Sequence, residues 1–233
     1  MRLDLFVSKK FDISRQKTQE MIKQGLVFCN QIQVTKPSHQ VSQEDEIVLK
    51  EKPRFVSRAG EKLFGFLKGE NFSYKVVLDV GSSTGGFAQV LLLLGVDEVH
   101  CVDVGKNQLS PLLRNDKRIK IFEECDIRHF IKQRDYDLLT CDVSFISIEK
   151  IFGILKTMSK EMILLFKPQF EVGKEVKRNK KGVVVDNELI NIALKSFQNY
   201  LLEQGFLILR TQKSVLKGKE GNEEYFFHVR SKY

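Results

Sequence analysis

No apolar run in this chain is long enough to cross a membrane: the longest, residues 90–95 and 162–166, fall far short of the roughly 18 residues a spanning helix needs. The first ten residues carry Arg2, Asp4, Lys9 and Lys10 where a signal peptide needs an apolar stretch, so a cytoplasmic location without a membrane partner is expected. Four cysteines, Cys29, Cys101, Cys125 and Cys141, lie far apart with no CxxC pair, which argues against zinc and against a disulfide framework and leaves buried, reduced thiols. No His or Cys cluster offers a metal site, and no metal is expected. What is present is a globular composition: 233 residues, 42% hydrophobic and 29% charged, suit one or two domains with a real core. Lys and Arg number 38 against 30 acids, and where that excess sits matters more than its size.

A shift in composition near residue 50 divides the chain. Before it, Ser14 caps a segment whose apolar positions Met21, Ile22 and Leu26 recur at helical spacing, and Gly25 ends that helix. Residues 26–29, 32–34 and 46–49 read as short strands, the first two joined at Asn30. Lys9, Lys10, Arg15, Lys17 and Lys23 gather around two helices, whereas Glu44, Asp45 and Glu46 sit at the far turn. One basic face suits a phosphate backbone, although a solvated helix surface carries the same charges. The run Arg2-Leu3-Asp4, Ser14-Arg15, Ile22, Gly25, Val27, Asn30, Lys36-Pro37 and Asp45 resembles the αL RNA-binding module shared by a small-subunit ribosomal protein, tyrosyl-tRNA synthetases and pseudouridine synthases. The resemblance implies RNA contact through the two helices and the following loop, with Arg2, Lys9, Lys10, Arg15, Lys17 and Lys23 as the candidate residues.

From residue 76 onward apolar strands alternate with helical segments. Strands are expected at 76–80, 98–103, 119–123, 137–142 and 161–166, with helices near 86–94, 107–115, 127–133, 148–158 and 187–203. That alternation means a parallel sheet covered on both faces, an α/β fold of the Rossmann-like, seven-stranded kind. Two late strands, 207–212 and 223–229, have only turn residues between them and should form an antiparallel hairpin at one end of the sheet. The expected organisation is an RNA-binding domain of small α+β type at 1–53, a linker at 54–57 and a catalytic domain at 58–233. The linker residues Arg54, Phe55 and Val56 either couple the two domains or merely join them.

The first strand runs into Asp79-Val80-Gly81-Ser82-Ser83-Thr84-Gly85-Gly86, a spacing that is not the GxGxxG of dinucleotide enzymes. Glycines permit a sharp strand-to-helix turn and close approach of a ligand. An acid before such a loop repels phosphate but suits a ligand with an ammonium group, as S-adenosylmethionine has. Asp103, about 20 residues on, is placed to accept from ribose hydroxyls, and Asp126, after the third strand, to bond an adenine amine. Taken in order on successive strands, Asp79, Gly81, Ser83, Thr84, Gly85, Gly86, Asp103, Asp126 and Asp142 point to an S-adenosylmethionine-dependent methyltransferase.

The methyl acceptor is read from strands four and five. No prolines follow Asp142, so the Asp/Asn-Pro-Pro-aromatic pattern of amine methylation is missing, and Cys141, the one thiol near the cleft, is core if Asp142 faces the cofactor. Lys167 follows an apolar strand and precedes Pro168, which puts an amine at the carboxyl edge of the sheet. A desolvated lysine titrating near ~7 to 8 can take a proton from a hydroxyl; one paired with Asp142 serves to orient it instead. Lys62, Asp142, Lys167 and Glu224 match the Lys-Asp-Lys-Glu tetrad of FtsJ-type ribose 2′-O-methyltransferases, and with the αL module in front the whole chain resembles the TlyA family, historically called hemolysin A. The resemblance implies methyl transfer to a cytidine 2′-hydroxyl of ribosomal RNA; the expected partner is ribosomal RNA or a ribosomal subunit, and a monomer is expected. In it Lys167 is the central lysine, Asp142 and Glu224 hold lysines and substrate, and Lys62 positions the ribose. The start at Arg2-Leu3-Asp4 resembles the family's shorter subgroup and favours 23S RNA. Arg58 and the basic run holding Lys174, Lys177 and Arg178 are expected to add RNA contacts. A small-molecule methyltransferase, a noncatalytic RNA-binding or ribosome-assembly protein and a pore-forming toxin are the competing readings.

Overall fold

A computed structural model describes residues 1–50, 54–70, 72–173 and 176–233. In the first unit each element buries one apolar face. Helix α1 (Leu3–Phe11) turns in Leu3 and Val7, and α2 (Arg15–Lys23) turns in Met21 and Ile22. They pack on an antiparallel sheet of β1 (Val27–Cys29), β2 (Ile32–Gln33) and β3 (Ile47–Leu49), in the order β2-β1-β3. Ser14 Oγ caps α2 by accepting from the Lys17 amide at 3.3 Å, and Gly25 stops the chain turning at a φ of +71°.

The second unit is built from α3 (Arg58–Leu67), β4 (Val76–Val80), α4 (Gly86–Leu93), β5 (Glu98–Val102), α5 (Pro111–Arg114), β6 (Ile119–Phe122), β7 (Leu138–Cys141), α6 (Glu149–Met158), β8 (Glu161–Phe166), α7 (Pro168–Glu171), α8 (Asn187–Glu203), β9 (Phe206–Lys213) and β10 (Tyr225–Ser231). Its seven strands run β6-β5-β4-β7-β8-β10-β9, with β4 to β8 parallel to one another. The expected late hairpin lies at the sheet edge, β10 pairing antiparallel with both β8 and β9. Successive residues of β8 enter opposite cores, Leu164 and Phe166 on one face and Ile163 and Leu165 on the other, which is why such strands are continuous apolar runs. Chain order reverses at β4, flanked by β5 on one side and β7 on the other, so a crevice opens beyond their carboxyl ends.

Two expected helices shrink. Residues 107–115 give only the four-residue α5, because the Glu123 carboxylate takes the amides of Asn107, Gln108 and Leu109 and holds them as a loop. Residues 127–133 give one 3₁₀ turn, after which the chain extends so that Phe130 reaches the core. Cys29, Cys101 and Cys141 are buried and unbridged, whereas Cys125 is only partly buried.

The residues read as a linker are packed. Phe55 and Val56 are buried in the second unit's core, and the Arg54 guanidinium lies 3.8 Å from the centroid of the Phe64 ring. Val56 accepts from the Ser14 amide at 3.1 Å and donates to Gln89 Oε1 at 2.8 Å. Asp12 reaches across to accept from Ser110 Oγ at 2.9 Å and the Leu112 amide at 2.7 Å, so the first unit caps α5 of the second. The end of the expected first domain, 51–53, lies outside the described residues.

Candidate functional site

Beyond the carboxyl ends of β4, β7 and β8 a cavity of about 590 Å³ brings Lys62, Asp142, Lys167 and Glu224 to one wall-to-wall space. Lys62 projects from the middle of α3 and donates to Glu224 Oε2 at 2.6 Å; both side chains are buried. Lys167 leaves the end of β8 and meets Asp142 Oδ1 at 2.6 Å and Ser144 Oγ at 3.0 Å. Gly81 makes this possible: at a φ of +77°, a Cβ there would lie 2.7 Å from the Asp142 carbonyl oxygen. Gly218 gives similar room, since a Cβ at that position would lie 2.5 Å from Glu224 Oε1.

Burial acts to lower the Lys167 pKa, but the charge and hydrogen bond of Asp142, with the charge of Glu224, outweigh it and hold the amine above its ordinary value. That direction favours the ammonium form, and with it the orienting role over the neutral-lysine one. Cys141 is wholly buried, and burial pushes its thiol up to about 12, which argues against carbon methylation through it.

A second lobe of about 360 Å³ shares Gly81, Ser83, Asp142, Ser144 and Phe145 with the first and continues between Asp103, Asp126, Val104, Cys125, Ile127 and Ile151. Apolar walls with acids at their edge suit a nucleoside. Asp103 anchors the loop, accepting from the amides of Ser83 at 2.8 Å and Gly105 at 2.7 Å. Asp126 caps its own 3₁₀ turn and pairs with Arg128, whose hydrogen bonds hold its carboxyl down at about 2. On the other side of Gly81, Ser57 Oγ is buried without a hydrogen-bond partner among the described residues, and Ser57 lines the cavity with Ser82 and Thr84. These groups fit the two ends of S-adenosylmethionine.

Three expected cofactor residues stand elsewhere. Gly85 and Gly86 line neither lobe. A Cβ on Gly85 would lie 2.5 Å from Leu113, and one on Gly86 would lie 2.2 Å from Ser57 Oγ and 2.7 Å from the Gly60 amide. They let α4 pack closely under α5 and α3. Asp79 is wholly buried beneath the loop and accepts from Thr140 Oγ1 at 2.7 Å, so it supports the loop from below; its other oxygen has no partner among the described residues. Burial, against the Thr140 bond, pushes this carboxyl up to about 7. An unfolded chain ionises Asp79 first, so this group's contribution to stability falls as pH rises from about 4 to 7 and is level above that. Asp79→Asn is expected to gain on the parent across that window, by about 4 kcal/mol at most for a shift of this size, read from urea midpoints at pH 5 and pH 8.

The expected RNA contacts divide. Lys9, Lys10, Lys23 and Lys177 are exposed. Arg2 is partly exposed and Arg15 exposed, and both pair with the buried Asp4. Lys17 and Arg58 are drawn into the seam between the units, Lys17 pairing with Glu61 and Arg58 with Glu20 and the Lys217 carbonyl. Arg178 donates to the carbonyls of Gln169, Gly173 and Val176 and ties down its own loop. Lys174 lies outside the described residues. The seam also carries Ser14 and Gln16 of α2 into the catalytic cavity, a contribution that only the docking of the two units reveals. Phe145 was missed as well. It is 91% exposed at a φ of +66°, lines both lobes, and lies 5.3 Å from the Phe170 ring.

The chain matches the model of the FtsJ-like methyltransferases over residues 55–231 and that of the S4 domain over residues 1–47. It is 41% identical to a protein of Campylobacter jejuni named 23S rRNA (cytidine-2′-O)-methyltransferase TlyA, over 98% of each chain. It is 35% identical to one of Mycobacterium tuberculosis named 16S/23S rRNA (cytidine-2′-O)-methyltransferase TlyA, over 94% of this chain and 85% of that one. A solved structure described as a hemolysin, from Streptococcus thermophilus, superposes with a TM-score of 0.78 at 32% identity, covering 99% of this chain and 88% of the other. Two lysines and two carboxylates from separate parts of the chain thus meet in one cavity of a domain that the first of these models spans, and the chain belongs to the FtsJ-like methyltransferases, with an S4 domain at its N-terminus.

Proposed function

We propose that this protein transfers a methyl group from S-adenosylmethionine to the 2′-hydroxyl of a cytidine in ribosomal RNA of the large subunit. The observation that carries the reading is the pair of ion pairs, Lys62 with Glu224 and Lys167 with Asp142, in one cavity that opens into a nucleoside-sized lobe. Relatives at 41% and 35% identity, named for this reaction, support it. Asp103 and Asp126 at one end and Ser57 and Ser82 at the other would hold S-adenosylmethionine, which would supply an electrophilic methyl group on a good leaving group. Lys167, as an ammonium, donates to the 2′-oxygen and fixes its lone pair toward the reacting carbon. Asp142, at 2.6 Å from that amine, keeps it in place and is the nearest acceptor for the hydroxyl proton as the new C–O bond forms. Lys62, locked by Glu224, holds the ribose. The machinery is mostly positioning, which alone can supply effective molarities of ~10⁵ M or more.

Phe145 adds a platform. Single-stranded RNA is recognised by bases splayed onto exposed aromatic rings, each stack worth about 1–3 kcal/mol. Phe145→Ala is expected to lower kcat/KM for RNA by about ten- to a hundredfold with cofactor affinity unchanged, and Phe145→Tyr to retain most activity, in single-turnover assays and calorimetry. The reading itself is tested by incubating pure protein and labelled S-adenosylmethionine with large subunits and with protein-free 23S RNA, then mapping the label. Label on a cytidine ribose is expected; label on a base, or none on either RNA, overturns it.

A further inference from the structure

Two residues beyond Lys167 stands a side chain that the reaction above leaves unused. Gln169, on the single turn of α7, lines the catalytic lobe but not the nucleoside lobe, and its Oε1 is buried with no hydrogen-bond partner among the described residues. A buried acceptor left empty is uncommon because it forfeits its hydration without return. The segment cannot easily relax to satisfy it. Pro168 opens the turn, the Gln169 carbonyl accepts from Arg178 at 3.2 Å, and the next residue, Phe170, lies against Phe145. The lysines of the cavity act on a ribose common to every nucleotide, and an aromatic ring accepts any base. Neither tells one pyrimidine from another.

We infer that Gln169 reads the target base, its Oε1 accepting a hydrogen bond from the exocyclic amine of cytosine. Uracil offers a carbonyl oxygen at the same position, so lone pair would face lone pair and the buried acceptor would stay empty. Sites built to bond a polar group reject analogues lacking it far more strongly than apolar pockets reject a change of size. The inference rests on the RNA-methylation reading and deepens it by naming what selects the nucleotide.

The test uses the full-length protein and three 23S RNA fragments that differ only at the mapped position, which carries cytosine, uracil or 2-pyrimidinone, the last lacking the amine. The parent should methylate the cytosine fragment about a hundredfold more efficiently than the uracil one and at least about tenfold more than the pyrimidinone one. Gln169→Met, which keeps the volume but not the acceptor, should bring the cytosine-to-uracil ratio within about threefold through loss on the cytosine fragment. Gln169→Glu keeps an acceptor and should keep the ratio above about tenfold whatever its overall rate. Cofactor affinity, measured by calorimetry, should stay within about twofold throughout, which also reports an intact fold. A parent indifferent to the base or to loss of the amine, or a Met variant that still discriminates, overturns the inference while leaving ribose methylation standing; so does a Met variant with weakened cofactor binding, which would assign the acceptor to the cofactor. A parent that labels neither the fragments nor large subunits carrying the same three bases overturns the methylation reading, and this inference with it.

Discussion

Lys167→Ala is expected to slow methyl transfer to RNA by about 10³-fold or more while cofactor affinity stays within about threefold. The side chain is buried and meets Asp142 at 2.6 Å and Ser144 at 3.0 Å, so its removal takes away the group that would orient the hydroxyl and leaves the Asp142 charge uncompensated. Losses of two to four orders of magnitude are usual when one preorganised charged donor or proton-handling group is deleted. The pH profile separates the two ways a lysine can act. With its pKa raised by Asp142 and Glu224 over the opposing effect of burial, Lys167 stays protonated through neutrality. The single-turnover rate should then be level across neutral pH and fall only in the alkaline range where the ammonium is lost. A rate that climbs tenfold per unit toward high pH would instead make the neutral amine the active species and reverse the assignment. Lys167→Arg keeps the charge but replaces a compact donor with a planar fork, and is expected to recover only a small part of the rate. Glu224 sits beyond the pair as a further positioning charge, which is why its own partner, Lys62, belongs to the same unit of function rather than to a separate one.

Much of the fold was legible because buried parallel strands are short apolar runs that end in the residues on which ligands depend: Val80 before Gly81, Cys141 before Asp142, Phe166 before Lys167. Asp142 and Lys167 were readable for the same reason, as residue types at strand ends, whereas Lys62, in the middle of a helix, and Glu224, ahead of β10, came only from the resemblance to the FtsJ-type enzymes. What was not readable depends on contacts between distant segments. Helix α3, which carries Lys62, has glycines at positions 60 and 65 that blur its pattern. A Cβ on Gly60 would lie 2.8 Å from Phe55 and 3.0 Å from the Gly86 carbonyl, and the second neighbour is distant in sequence. Asp79 was expected in the cleft, yet a central strand is buried on both faces and offers no alternation to say which way a polar residue points. Lys17 and Arg58 looked like free cations because Glu61 and Glu20, which bind them, stand about 40 residues away in the chain. Phe145 had no local signal at all, since nothing in a Val-Ser-Phe-Ile stretch announces a backbone in the left-handed region with its ring in solvent.

Asp4→Ala should unfold the S4 domain well before the catalytic domain and cost RNA binding with it. Asp4 is fully buried near the start of α1, where its carboxylate accepts from Arg2 Nε at 2.9 Å, Arg15 Nε at 3.0 Å and Gln19 Nε2 at 2.7 Å. One side chain thus fastens α1 to α2 through Arg15 and Gln19 and to its own N-terminus through Arg2. The Arg2 hydrogen bonds, over the opposing effect of burial and with help from Gln19 and Arg15, hold the carboxyl well below the usual carboxylate range. Arg2 and Arg15 keep some contact with solvent and can rehydrate, so deletion is expected to cost about 2–3 kcal/mol rather than the 3–5 of a fully enclosed pair. A unit of some fifty residues has only a few kcal/mol to lose. Hydrogen exchange and limited proteolysis should therefore show α1 and α2 opening in the variant while β4 to β8 stay protected. Because α2 also carries Lys17, Glu20 and the Ser14 amide that fasten the seam, its opening would withdraw Ser14 and Gln16 from the catalytic cavity. RNA affinity should fall at least about tenfold and methylation with it, whereas Asp4→Asn, which keeps part of the hydrogen bonding, should lose less. The sign with pH follows from the depressed carboxyl. Its stabilisation is complete above the unfolded carboxylate pKa near 4 and is lost as pH falls through the lower folded value, so the parent's S4 domain should open first on acidification. In the Asp4→Ala variant that part of the acid sensitivity should be gone, and an unchanged acid midpoint for α1 and α2 would show that the stability of this domain is set elsewhere.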